Sequence, residues 1–162
     1  AVRLLRLSRA EGADIILLLA GTGPLERSLR TDSALPDDSV RLLGYVQDMR
    51  RILQAADIFL NTSRREGLPL SVMEAMATGL PIVAYNIRGC SDLVVDGETG
   101  FLVTPGDVHM AADRIVRLAA DAGTRCKMGE AGRMRIEQKF SLMQVVPQMK
   151  KVYEDELGRE KQ

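Results

Sequence analysis

The sequence predicts an α/β fold, a three-layer α/β/α domain with a parallel sheet. Short apolar segments alternate with segments of helical length, which is the pattern of repeated βα units. The clearest apolar run, residues 15–20, ends at Gly21, and uninterrupted runs of this kind are typical of strands buried on both faces of a parallel sheet. The 162 residues suffice for one domain of ordinary size, so 1–162 is predicted to be a single domain.

Five strands are predicted, at 14–20, 39–44, 56–60, 81–85 and 100–103. The predicted helices are 1–10, 24–30, 48–56, 70–78, 107–122, 124–139 and 142–157, the last with a kink at Pro147. The first begins mid-pattern, with Val2, Leu4 and Leu5 on its apolar face. Because ligands of such folds bind beyond the carboxyl ends of the strands, the expected binding loops are 21–24, 44–46, 61–69 and 86–92.

Composition excludes several classes of function. Lysine and arginine number 22 and so do aspartate and glutamate, and this balance argues against a nucleic-acid binder. His109 is the single histidine, which excludes histidine-cluster metal sites and most histidine-based triads within the chain. Cys90 and Cys126 are too few for a disulfide framework and fit a reducing compartment, so a cytoplasmic location is expected. The longest apolar run is too short to span a membrane.

The most informative segment is 63–77. Between 70 and 77 every residue except Glu74 is apolar or small, so this helix is expected to be buried on all sides. A carboxylate buried there needs a partner, since an unpaired buried charge is costly. The partner is either a structural arginine or a ligand that donates hydroxyl hydrogen bonds, and the helical pattern leaves both open.

The loop before this helix favours a ligand. Gly67 and Pro69 lead into a helix N-terminus, where free amides and the helix dipole suit a phosphate group. With Glu74 accepting hydrogen bonds from both ribose hydroxyls one turn further on, the segment would hold a nucleotide. A glycosidase-like pair of Glu66 and Glu74 is disfavoured, because eight helical residues span about 12 Å and such pairs lie about 5 to 9.5 Å apart.

Glu66 and Glu74, within EGLPLSVMEAMATGLPIVA, resemble the E-x7-E signature of retaining glycosyltransferases with the GT-B fold. The family is glycosyltransferase family 4, with its glycosyl transferases group 1 domain. The segments LLAGTGPL, RLLGYV, AADIFLNTS, VVDGETGFLVTPGD and KFS fall in the family's order, so the resemblance covers nearly the whole chain. It implies the Rossmann-like, donor-binding C-terminal half of a GT-B fold. The first strand of that half is expected to be missing, which would leave an exposed edge or a gap in the sheet.

The resemblance implies a nucleotide-diphosphate sugar as donor substrate, with a UDP-sugar favoured, and no metal or other cofactor. Glu74 would hold the ribose, and Glu66 would act at the catalytic site by contacting the hydroxyls of the donor sugar. The other implied site residues lie at the base, along the cleft and at the diphosphate: Tyr45, Val46, Gly21, Gly23, Gly67, Leu68, Pro69 and Leu70. Transfer would retain the anomeric configuration without a protein nucleophile, through positioning and stabilisation of the leaving diphosphate.

Three features depart from the family pattern. The arginine and lysine that clamp the donor phosphates have no counterpart, and neither does the N-terminal acceptor-binding domain. This chain alone is therefore expected to be inactive. The family's Gly-Gly-Glu turn appears here with Cys90 and Asp92, and the thiol is expected to alter contacts with sugar or phosphate.

The sequence of the turn at 86–90 resembles that of bacterial surface-polysaccharide transferases. The alternatives are a nucleotide-sugar-binding module without catalysis and a GT-B sugar-nucleotide epimerase. Peripheral membrane association of the complete protein is compatible with the resemblance. The final helix is expected to leave an apolar patch, formed by Val145, Met149, Val152, Tyr153 and Leu157, through which the isolated chain self-associates.

Overall fold

The structure, a computed structural model, describes residues 1–30 and 39–159. Its elements are α1 (Val2–Ala10), β1 (Leu17–Ala20), α2 (Glu26–Arg30), β2 (Val40–Gly44), α3 (Met49–Ala55), β3 (Phe59–Asn61), α4 (Leu70–Thr78), β4 (Ile82–Tyr85), α5 (Cys90–Leu93), β5 (Gly100–Val103), α6 (Val108–Ala120), α7 (Ala122–Lys139) and α8 (Leu142–Arg159). The predicted order of strands and helices is confirmed. The short helix α5 was not predicted, because it lies inside a segment interpreted as a loop.

The strands pair in parallel, as predicted, but in two sheets. β1 pairs with β2, and β4 lies between β3 and β5. Within residues 1–30 and 39–159, neither β1 nor β2 is hydrogen-bonded to a strand of the other sheet. The first and third strands are shorter at their N-terminal ends than predicted because regular pairing starts only at Leu17 and Phe59.

Helices cover both faces of β4, which confirms the three-layer α/β/α fold. Ile82 and Ala84 pack against one buried cluster with residues of α4, α5 and α7. The alternate residues Val83 and Tyr85 pack against the other cluster, with residues of α1 and α6. This alternation follows from the two-residue period of a strand. Helix α4 therefore packs on one side of the sheet with one of its faces, and its opposite face is left exposed.

Helix α1 packs on α6 through residues partly different from those expected. Leu4 and Leu5 are each 2% exposed, whereas Val2 is only half-buried. Ser8 is also buried, and its hydroxyl donates to the carbonyl of Ala112 at 3.5 Å. None of the helices in the described part of the chain is both long enough and apolar enough to cross a membrane.

Helix α8 exposes an apolar surface, as expected, although Val145 is half-buried and does not belong to it. It continues through Pro147 as one helix. Side chains at spacings of three and four residues are each more than half exposed along it: Leu142, Val146, Met149, Tyr153 and Leu157. We call these five residues the α8 stripe.

We expect the isolated chain to self-associate through the α8 stripe, because water contact with a continuous apolar surface is unfavourable. Sedimentation velocity should give a sedimentation coefficient that rises with protein concentration. Introducing charge with Met149→Glu and Tyr153→Glu should remove this dependence, whereas Lys151→Glu, at an exposed lysine of the same helix, should preserve it. A wild-type chain that stays monomeric at every concentration would contradict the prediction.

Candidate functional site

A cleft of about 280 Å³ lies between the end of β1, the turn after β2, helix α3 and the exposed face of α4. Its lining residues are Ala20, Gly21, Tyr45, Val46, Met49, Leu53, Phe59, Ser71 and Glu74. The structure thus brings together four of the predicted site residues, from three separate segments. The other predicted site residues lie outside this lining: Gly23, Glu66, Gly67, Leu68, Pro69 and Leu70.

Two glycines shape the cleft where β1 and β2 end. Gly21 and Gly44 have φ angles of 115° and 63°, in the left-handed region that glycine adopts without a steric penalty. The amide of Gly21 donates to the carbonyl of Gly44 at 2.6 Å, which ties the two strand ends together. Tyr45 follows directly and is 82% exposed, so its ring presents a flat aromatic surface at the cleft.

The expected burial of Glu74 is wrong. Helix α4 buries Val72, Ala75 and Met76, whereas Glu74 lies on the face that is open to solvent. Within the described residues its carboxylate has no ion pair and no hydrogen bond, so a structural arginine is not the partner. The apolar composition of the helix misled the prediction because Leu70 is itself 69% exposed. Exposure leaves a charged acceptor available to a ligand.

Helix α4 begins at Leu70, as predicted, and its first turn has free donors. The carbonyl of Pro69 accepts hydrogen bonds from the amides of Val72 and Met73, at 3.1 and 3.2 Å. In the described part of the chain, the amides of Leu70 and Ser71 have no such partner, and no side chain caps the helix. Together with the helix dipole, these two amides form a positive end suited to an anion.

Glu66 lies in a loop that packs against the start of α5. Gly89 has φ 84°, and a Cβ built there would collide with the carbonyl oxygen of Gly67 and lie 3.1 Å from Cδ of Pro69. The pKa of the Cys90 thiol is raised, first by burial and then by the negative charge of Glu66. Glu66 therefore lies near Cys90 of α5 and is not among the residues that line the cleft with Glu74.

The α5 turn corrects the expectation for Cys90. Its side chain is fully buried and packs in the same cluster as Val72 and Leu93, so the thiol does not face a sugar or phosphate. Asp92 accepts a hydrogen bond from the amide of Gly89 at 3.2 Å, which caps α5. Arg135 of α7 donates to the carbonyls of Asp92 and Leu93, at 2.8 and 2.6 Å, and so anchors the turn from a distant helix.

Sequence reasoning missed five lining residues: Ala20, Met49, Leu53, Phe59 and Ser71. Met49, Leu53 and Phe59 resemble ordinary core residues, and no sequence signal distinguishes them. Ser71 had a signal, since it precedes Glu74 by three residues and such positions share one helix face. Within residues 1–30 and 39–159, no group of three or more His, Cys, Asp or Glu side chains is arranged to hold a metal ion.

Gly89→Ala is expected to destabilise the fold more than Gly97→Ala. Both glycines have left-handed φ angles, 84° and 77°, so both substitutions cost about 1 to 2 kcal/mol in backbone conformation. A Cβ at Gly97 meets nothing within 4 Å, whereas at Gly89 it also displaces the Gly67 carbonyl. Overpacking of this kind adds about 1 to 3 kcal/mol. Urea unfolding of both variants measures the difference, and equal losses would contradict the close contact.

Residues 1–121 match the family described as glycosyl transferases group 1. The chain is 31% identical over 147 residues to the capsular polysaccharide biosynthesis glycosyltransferase CapM of Staphylococcus aureus, covering 89% of this chain and 39% of that protein. It is 33% identical over 146 residues to the Escherichia coli UDP-Gal:alpha-D-GlcNAc-diphosphoundecaprenol alpha-1,3-galactosyltransferase, covering 88% and 37%.

A solved structure of Anabaena HepE in complex with UDP superposes with a TM-score of 0.83. Sequence identity is 23%, and the match covers 94% of this chain and 44% of HepE, so this likeness shows the shared fold. The chain spans about two fifths of the length of the two curated relatives. Because the family match includes three quarters of the chain, with both glutamates and both glycine-bounded strand ends inside it, the chain belongs to the glycosyl transferases group 1 family.

Proposed function

We propose that the cleft binds the donor substrate of a glycosyltransferase, a nucleotide-diphosphate sugar, with a UDP-sugar favoured. The observation that carries this proposal is the unpaired carboxylate of Glu74, which faces the same cleft as the ring of Tyr45. Three chemical groups of a nucleotide have matching partners in and beside this cleft: the ribose hydroxyls, the base and the phosphates.

Each partner suits its group for a physical reason. A carboxylate accepts hydrogen bonds from two neighbouring hydroxyls, and such charge-assisted bonds are strong. The exposed ring of Tyr45 offers an aromatic surface on which a base stacks. The free amides of Leu70 and Ser71 at the start of α4 suit a diphosphate. Glu66, beside α5, would then lie further along the loop and contact the hydroxyls of the donor sugar.

Two of the similar proteins support uridine as the nucleoside. The E. coli relative is named for its use of UDP-Gal, and HepE was solved with UDP. The name of CapM supports a role in bacterial surface-polysaccharide synthesis. We propose that the complete protein transfers the sugar with retention of configuration and without a metal, by stabilising charge on the leaving diphosphate. The acceptor would bind to a domain outside this chain, which by itself would bind the donor without transferring it.

Thermal unfolding of this chain with UDP, GDP and ADP, in EDTA, tests donor binding and its base. A ligand at 100 times its dissociation constant stabilises the folded chain by about 2.7 kcal/mol, so UDP is expected to raise Tm by several degrees and the purine nucleotides by much less. Pyrophosphate is the control for a general anion effect. A shift with GDP or ADP alone would contradict the choice of uridine, and no shift with any nucleotide would contradict the donor site.

A transfer assay tests the proposal that this chain binds the donor and that another domain binds the acceptor. The chain is incubated with a radiolabelled UDP-sugar and a lipid-linked or oligosaccharide acceptor, with and without the complete protein's remaining segment. Donor binding without transfer, restored to transfer by the added segment, is the expected result. Transfer by the chain alone would contradict the proposal that the acceptor needs another domain.

A further inference from the structure

We infer that three arginines near Glu66 form a subsite for a negatively charged acceptor, a diphosphate ester, an inference that rests on the proposed donor binding. Arg64 and Arg65 lie in the loop after β3, and Arg88 lies in the turn after β4. All three residues are exposed, and within residues 1–30 and 39–159 none of them has an ion pair, a hydrogen bond or a ring contact. We call these three residues the arginine surface.

The fold places the two loops side by side. β3 and β4 are parallel neighbours, and Asn61 pairs with Ala84 near their carboxyl ends, so the segments that follow them leave the same edge of the sheet. The buried side chain of Asn61 accepts a hydrogen bond from the amide of Ser63 at 2.9 Å, which fixes the start of the first loop. A Cβ at Gly89 would collide with the carbonyl oxygen of Gly67, so the two loops are in contact.

Positive charge exceeds negative charge in these loops. The acidic side chains of the two loops and the adjoining α5 are Glu66 and Asp92. The carboxylate of Asp92 already accepts from the amide of Gly89 at 3.2 Å, and Glu66 is half-buried. In the described part of the chain neither carboxylate forms an ion pair with the arginine surface, so three guanidinium groups are available to an anion.

The chemistry of the arginine surface favours a diphosphate. A guanidinium group is a planar fork that donates two parallel hydrogen bonds to phosphate oxygens, and a diphosphate offers more oxygens and more charge than one carboxylate. The arginine surface is not part of the cleft lining, so a nucleotide in the cleft leaves it free. Arg65 directly precedes Glu66, and an acceptor has to approach the donor sugar that Glu66 is proposed to contact.

The test titrates butyl diphosphate into the UDP-saturated chain by calorimetry, with butyl phosphate and butyrate as comparison ligands. Wild type should bind butyl diphosphate most tightly of the three, because it carries the most charge. A variant that combines Arg64→Gln, Arg65→Gln and Arg88→Gln should bind it about tenfold or more weakly, since the loss of one hydrogen bond to a charged group already has that effect. The affinity of this variant for UDP should equal that of wild type, because the arginine surface lies outside the cleft lining.

A second triple variant, with Arg3→Gln, Arg41→Gln and Arg50→Gln, is the matched control. It removes the same charge at three exposed arginines that do not line the cleft, and it should bind butyl diphosphate like wild type. Equal losses in both triple variants would show a general effect of net charge and overturn the inference.

The other outcomes separate the inference from the proposed function. A UDP-saturated wild type that does not bind butyl diphosphate, or that binds butyrate more tightly, would overturn the inference. Unchanged binding of butyl diphosphate after loss of the arginine surface would also overturn it. Weaker UDP binding in that variant would assign the arginines to the donor, and the proposed function would stand. Failure of wild type to bind UDP would instead contradict the proposed function.

Discussion

Glu74→Ala is expected to lower the affinity of the chain for UDP by about 100-fold or more. The substitution removes two hydrogen bonds from ribose hydroxyls to a charged acceptor, each worth about 1.5 to 3 kcal/mol. Glu74→Gln keeps an acceptor oxygen without the charge, so it should fall between wild type and alanine. Calorimetry with UDP measures all three proteins.

The same substitution should leave the ligand-free fold unchanged. Glu74 is exposed and, among the described residues, its carboxylate has no partner to lose. Glu98→Ala is the control, since Glu98 is also an exposed glutamate, lies in the turn before β5 and does not line the cleft. This variant should bind UDP like wild type. If Glu74→Ala binds UDP normally, Glu74 does not hold the ribose. A lowered Tm without ligand would instead show that Glu74 stabilises the fold.

Gly129→Ala is expected to destabilise the chain by about 1 kcal/mol net, because overpacking typically costs about 1 to 3 kcal/mol. A Cβ at Gly129 of α7 would collide with the carbonyl oxygen of Gly79, at the end of α4. That oxygen belongs to the backbone, so the two helices must move apart. The helix-propensity gain of alanine over glycine, about 1 kcal/mol, offsets only part of the cost. Thermal unfolding should show Tm lower by roughly 2 to 4 °C.

Gly132→Ala is the matched control one turn further along α7. A Cβ there meets the side chain of Met76 at 3.7 Å, an ordinary contact, so the gain in helix propensity should dominate and Tm should stay level or rise. An equal decrease in Tm in both variants would mean that any methyl group added to α7 is destabilising. It would contradict a specific close contact between α7 and α4 at Gly129. Because α4 carries Glu74, Gly129→Ala should also weaken UDP binding.

Local signals in the sequence predict the first and last residues of several helices and strands. α4 was expected at 70–78 and is observed at Leu70–Thr78, since Gly79 adopts φ 87° and ends the helix. β5 was expected and is observed at Gly100–Val103. Both elements have sharp ends set by glycine or proline next to an apolar run, and such ends depend on neighbouring residues alone.

Other features depended on residues far apart in the chain. α5 has four residues and no periodicity to predict it, and it is held by Arg135, more than forty positions further on. The burial of Cys90 and the exposure of Glu74 follow from which face of each helix packs on β4 and α7. Composition describes a helix as a whole, so it does not indicate which face the tertiary structure covers.

By itself, the sequence determined the alternation of strands and helices, the parallel pairing of the strands and the bounds of the helix that carries Glu74. These follow from hydrophobic period and from glycine and proline positions, which act over a few residues. Only the tertiary structure decided that Glu74, Ser71 and Tyr45 face one cleft while Glu66 lies beside α5. The reason is that a cleft is built by packing between distant segments, and the free carboxylate of Glu74 exists because α4 buries only one of its faces.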